Sequence, residues 1–67
     1  MDKVTPAMIE TIRKLVEKYS HKGLKMDNIF KMYSIKDMTE MNVAQYKDCM
    51  EKLELYKKRE SEESKNE

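Results

Sequence analysis

His21 and Cys49 are the single histidine and single cysteine of the chain, and they stand 28 positions apart. A thiol becomes a useful nucleophile when a base within hydrogen-bond reach takes its proton and a third group orients that base. No spacing in the sequence supplies that third group. His21 falls in the last turn of an expected helix, where the negative end of the helix dipole favours a cation. The acidic residues are spread over helix exteriors, with neither the Asp-x-Asp spacing of a calcium loop nor the His-Glu-x-x-His of a zinc hydrolase. One glycine rules out a glycine-rich phosphate loop. A lone cysteine can close no intrachain disulfide and build no cysteine-based zinc cluster. The sequence therefore implies no enzyme, no metal and no cofactor, and a reducing, cytoplasmic setting.

Binding chemistry is better supplied. Lys14, Lys18 and Lys22 stand four apart on one side of the first expected helix, and Lys25 follows just after its turn. Lys31 and Lys36 join them if the next, short helix folds back over the same side. Such a cluster attracts phosphates or an acidic peptide weakly and in a salt-sensitive way. Six methionines besides Met1 (Met8, Met26, Met32, Met38, Met41 and Met50) are a large share of the apolar inventory, and methionine makes adaptable contact surfaces as well as filling cores. Met41 falls off the main stripe of its helix, beside Tyr33 and Met32. Lys14, Lys18, Lys22, Lys25, Lys31, Tyr33, Lys36 and Met41 thus form the candidate partner-binding set, a Met/Tyr cleft edged by lysines that suits an amphipathic or acidic-hydrophobic segment.

The elements that must position these residues are helical. Thr5 is suited to cap the first helix, with Pro6 at the position that needs no N–H and Val4 placed to pack on Ile9. Met8, Ile9, Ile12, Leu15, Val16 and Tyr19 recur at spacings of three and four and form one face. Gly23 is expected to close that helix. A second helix is expected at "MDNIFKMYS", with Asp27 as its cap and Ile29, Phe30 and Tyr33 inward; at about two turns it must dock on its neighbours to persist. Ser34 and Asp37 have capping-box spacing for a single turn over "IKD", and Thr39 is expected to cap the third helix. From Glu40 to about Lys58 that helix shows Val43, Tyr46, Met50, Leu53 and Tyr56 inward, with Ala44 and Cys49 at the margins. Asp48 with Lys52 and Glu54 with Lys58 are spaced as exposed i,i+4 pairs.

These elements make an all-α, compact three-helix domain, long–short–long, over residues 4–58, followed by a charged disordered tail over 59–67. A chain of 67 residues buries one thin core and no deep pocket. Fourteen basic against 13 acidic residues give a net charge of +1. Through Lys58 the count is 12 against 9, and from Arg59 onward 2 against 4, so a mildly basic body carries a mildly acidic tail. That is far from the basicity of a duplex-DNA binder. The first residues, "MDKVTPAMIETIRK", hold no apolar secretion core, and no run approaches the roughly 20 apolar residues that span a bilayer. The methionine-rich margin leaves a homodimer open.

The stretch "IETIRKLVEKYSHKGLKMDNIFKMYSIKDMTEMNVAQYKDCMEKLE" resembles the small helical module at the C-terminal end of phage recombination proteins, notably single-strand annealing proteins of the Erf and RecT types. The matching positions are Ile12, Leu15, Gly23, Ile29, Tyr33, Ile35, Asp37, Met38, Thr39, Tyr46, Met50 and Leu53, within a stretch covering about two-thirds of the chain. The resemblance implies an accessory role: docking a partner protein, including the acidic-hydrophobic tail of host single-stranded-DNA-binding protein, or aiding engagement of single-stranded DNA. The annealing core that normally precedes the module is missing, so annealing activity does not carry over. Two alternatives stand beside this reading. One is a stand-alone small phage protein that inhibits or regulates a host protein. The other is a helix-turn-helix DNA binder, against which Asp48, Glu51 and Glu54 on the third helix would repel phosphates.

Overall fold

In the computed structural model, residues 2–65 are described, with side chains through Glu62. The chain is all-α. Helix α1 spans Pro6–Lys18, α2 spans Met26–Tyr33 and α3 spans Val43–Lys65, with single 3-10 turns at Ser20–Lys22 and Met38–Glu40.

The start of α1 follows from its first residues. Thr5 is extended, its hydroxyl accepts from the Met8 N–H at 3.2 Å, and Pro6 opens the helix. The Met8 sulfur accepts in return from the Thr5 N–H at 3.4 Å, occupying the place a glutamate fills in the usual reciprocal cap. Ile12 and Val16 are buried from this helix, and Tyr19 follows them into the core. Gly23, at φ 90°, closes the 3-10 turn rather than α1 itself, so the expected stop comes one turn late. Leu24 then turns back into the core.

Helix α2 begins after Lys25, which is extended and offers no side-chain cap. Asp27 lies inside the first turn instead of capping it as expected; there its carboxylate still faces the positive end of the dipole. Ile29 is buried, and Phe30 and Tyr33 pack against the core from its edge. The helix ends in a double closure, Ile35 N–H to the Phe30 carbonyl at 2.9 Å and Ser34 N–H to the Lys31 carbonyl at 3.4 Å, with Ser34 left-handed at φ 54°, ψ 44°.

The corner before α3 is built differently from the expectation. Asp37 caps the 3-10 turn: one carboxylate oxygen accepts from the Met38 N–H at 2.9 Å and the other from the Thr39 hydroxyl at 2.7 Å. Thr39 is therefore inside the turn and caps nothing. Helix α3 starts at Val43, not Glu40, because Asn42 and Gln45 cap it reciprocally, Asn42 Oδ1 accepting from the Gln45 N–H at 2.8 Å and Gln45 Oε1 from the Asn42 N–H at 3.0 Å. Cys49 sits in the middle of the buried face with Leu53, not at its margin. The helix continues past the expected end at Lys58 through Lys65, a length of about 34 Å. Residues 66 and 67 of the expected tail lie outside the described residues.

A short backbone bridge sets the topology. Lys3 pairs antiparallel with Asn42, through Val4 N–H to the Met41 carbonyl at 3.1 Å and Val43 N–H to the Asp2 carbonyl at 2.9 Å. At the other end of α1, the rings of Tyr19 and Tyr56 lie 5.7 Å apart, and Lys18 pairs with Glu60 at 3.7 Å. Val4 meets Met41 and Tyr19 meets Tyr56, so α1 and α3 run side by side in the same direction. The descending α2 makes that arrangement possible, and the particle measures 44 × 18 × 18 Å. Val4, Ile12, Val16, Tyr19, Leu24, Ile29, Met38, Met41, Cys49 and Leu53 form one buried cluster between the helices.

Candidate functional site

The densest group of interacting polar side chains lies where the end of α2 meets the middle of α3. Tyr33 reaches this seam because it follows buried Ile29 by one helical turn, and Asp48 and Lys52 because they flank buried Cys49 on α3. The Tyr33 hydroxyl donates to Asp48 Oδ2 at 2.6 Å, and Lys52 Nζ donates to the same oxygen at 2.8 Å. Lys52 Nζ also donates to the Met32 sulfur at 3.3 Å and lies 5.5 Å from the centroid of the Tyr33 ring. One ammonium thus joins a carboxylate, a thioether and an aromatic face.

Two donors on one carboxylate have electrostatic consequences. The hydrogen bond from Lys52, and after it the one from Tyr33, hold the Asp48 carboxyl below the ordinary carboxylate range. Burial, and then the bond to Asp48, push the Tyr33 phenol well above its ordinary value. Burial likewise raises the Cys49 thiol, which keeps it protonated and unreactive.

Two exposed apolar side chains belong to the same part of the molecule. Met32 is 47% exposed and Leu55 is 55% exposed, and they are the exposed large hydrophobic side chains among the described residues. Leu55 is three residues beyond Lys52 on α3, so the two side chains are neighbours on the helix surface. Arg59 follows Leu55 by four and extends the same flank. Lys52 thus has one exposed apolar residue bonded to it and another one helical turn along α3, with a second cation a turn beyond. No pocket opens among the described residues, no group of three or more metal-ligating side chains forms, and no helix is long and apolar enough to cross a membrane.

The residues expected to bind a partner divide between the faces of the molecule. Lys14 lies two positions from both Ile12 and Val16 and points away from the core of α1. Lys18 is exposed but paired with Glu60, with its ammonium 5.4 Å from the Tyr19 ring centroid. Lys22 is half-buried in the 3-10 turn, and Lys25 is exposed ahead of α2. Lys31 points outward from α2, two residues past Ile29, and Lys36 is exposed while its backbone N–H is held by the Glu40 carboxylate at 2.9 Å.

Tyr33 lies at the seam between α2 and α3, but Met41 does not. Met41 is 0% exposed, drawn inward because its carbonyl accepts from Val4 and its N–H bonds the Met38 carbonyl. It finishes the core and presents nothing to a partner. Met32 takes its place beside Tyr33.

Leu55 is not among the expected binding residues, and no spacing in the sequence joins Met32 to Lys52. A signal for Leu55 was available: it stands two positions from the inward Leu53, a large apolar residue on an otherwise charged helix face. The pairing of Lys52 with Met32 crosses two helices and had no such signal. No protein-family model, no curated protein and no solved structure matches the chain.

Proposed function

We propose that the chain is a non-catalytic helical docking module that binds a partner protein along the flank formed by Met32, Lys52 and Leu55. The observation that carries this reading is that, of the two exposed large apolar side chains, Met32 is hydrogen-bonded by Lys52 and Leu55 stands three residues from Lys52 on the same helix. Scattered single hydrophobic residues need no explanation, whereas two associated with one cation fit an occupant with apolar side chains and a carboxylate in the same register. Asp48 already balances part of the Lys52 charge, so Arg59 and outward-pointing Lys31 add to the attraction for an acidic segment.

The setting comes from the resemblance to the helical module of phage recombination proteins: a recombination or replication system of a phage or prophage. The partner would be a protein with an acidic-hydrophobic tail, such as host single-stranded-DNA-binding protein, with single-stranded DNA as a further ligand. A flank this shallow gives weak affinity that falls as salt rises.

Titration of the full chain with a labelled acidic-hydrophobic tail peptide, single-stranded DNA and duplex DNA, each at two salt concentrations, tests the reading. The expected result is saturable peptide binding, weakened about tenfold or more, roughly 1.4 kcal/mol, by the double substitution Met32→Ala with Leu55→Ala while helicity is unchanged. Tight duplex binding with no response to the peptide would overturn it and favour a DNA binder.

A further inference from the structure

We propose that Met32 is an oxidation site, converted to methionine sulfoxide by hydrogen peroxide or an organic hydroperoxide, and that this conversion switches off the docking flank. The switch rests on the docking reading; the site does not.

Exposure separates Met32 from its counterparts. Met38 and Met41 are buried, Met8, Met26 and Met50 are half-buried, and Met32 alone of the six from Met8 to Met50 is exposed. Susceptibility of a thioether follows its accessibility to the oxidant. Met32 also has a chemical neighbour, because its sulfur accepts a hydrogen bond from Lys52 Nζ at 3.3 Å. A cationic donor therefore stands beside the sulfur before any oxidant arrives.

The reaction balances with peroxide as the oxidant. The sulfur attacks one peroxide oxygen, an S–O bond forms as the O–O bond breaks, and two electrons pass from sulfur to peroxide. The proton on the transferred oxygen goes to the departing hydroxide or alkoxide, leaving neutral sulfoxide and water or alcohol. Lys52 keeps its own proton and, once the S–O bond has formed, is placed to donate a hydrogen bond to the sulfoxide oxygen.

An ammonium has three N–H donors, and Asp48 and Met32 engage two of them. The sulfoxide oxygen is thus received without breaking the bond to Asp48, and the seam between α2 and α3 persists. What changes is the surface: one of the two apolar members of the flank becomes polar.

Limited peroxide treatment of the full chain, followed by peptide mass mapping, reads the site directly. Met32 is expected to gain one oxygen at least about ten times faster than Met38 and Met41, and about three times faster than Met8, Met26 or Met50. Oxidation at any of those five as fast as at Met32 would overturn the assignment.

The same oxidised protein, with circular dichroism unchanged, is expected to bind the acidic-hydrophobic peptide about tenfold more weakly, and methionine sulfoxide reductase to restore binding. Met32→Leu, whatever its affinity in the untreated state, should lose no further affinity on peroxide treatment. Sulfoxide-bearing protein that binds as tightly as the reduced form would overturn the switch. A reduced protein that ignores the peptide would sink the docking reading and the switch with it, while the mass map still decides the oxidation site.

Discussion

The hydroxyl of Tyr33 and the carboxylate of Asp48 meet at 2.6 Å across the α2–α3 seam, the shortest tie between the small helix and the long one among the described hydrogen bonds. Helix α2 is eight residues long and would not persist alone, so this bond and the burial of Ile29 together hold it in place.

The seam makes stability depend on pH at both ends of the scale. Asp48 has its folded pKa depressed, first by Lys52 and then by Tyr33, so its contribution is present above the unfolded carboxylate range near 4 and is lost as pH falls through the lower folded value. Tyr33 has its folded pKa raised, first by burial and then by Asp48, so its contribution is complete below about pH 10 and is lost as pH climbs further. Urea unfolding at several pH values should show Asp48→Asn with a flatter acid limb and Tyr33→Phe with a flatter alkaline limb. Acid and alkaline limbs identical to those of the parent would contradict the assignment.

Met41 and Met32 should respond oppositely to truncation. Met41→Ala empties a fully buried position and is expected to cost about 2–5 kcal/mol, enough to abolish cooperative unfolding in a domain this small. Met32→Ala at the surface should cost less than about 0.5 kcal/mol. Thermal melts of the two variants, followed by circular dichroism, compare them directly.

Tyr19 carries a hydroxyl that is fully buried and has no hydrogen-bond partner among the described residues. A buried polar group without a partner is destabilising, so Tyr19→Phe is expected to raise stability by about 1 kcal/mol while keeping the ring contact with Tyr56. A drop in melting temperature would mean that the hydroxyl has a partner in solution.

Ser34 adopts the left-handed conformation that ends α2. A side chain there costs roughly 1–2 kcal/mol, and glycine returns about half of that through its freer unfolded state. Ser34→Gly should therefore stabilise by about 0.5 kcal/mol, measured as a higher urea midpoint at unchanged slope.

Legibility of the fold tracked how local the forces were. Thr5, Pro6 and the spacing of Ile12, Val16 and Tyr19 specify α1 within fifteen residues, and the structure keeps all of them. The corner was harder because four potential caps, Ser34, Asp37, Thr39 and Asn42, lie within nine positions. The reciprocal partner Gln45 marks Asn42 as the true start of α3, a pattern present in the sequence that an expected cap at Thr39 leaves out. The burial of Met41 was not legible at all, since it depends on the N-terminal residues pairing with a segment some 37 positions away. For the same reason little of the candidate site was legible: Tyr33 follows from type and spacing, whereas the expected lysines divide between faces and the closure of Met32 on Lys52 is a tertiary event.

The bridge between Lys3 and Asn42 has a mechanical meaning. It fixes the start of the described chain beside the first turn of α3, while Lys65 lies at the far end of a helix about 34 Å long. Tension applied between those two points would run along the long axis of the particle, and the backbone bonds Val4 to Met41 and Val43 to Asp2 would be the first link to bear it. The molecule is in this sense a strut with a two-bond latch at one pole, and the flank carrying Met32 and Leu55 runs along its side.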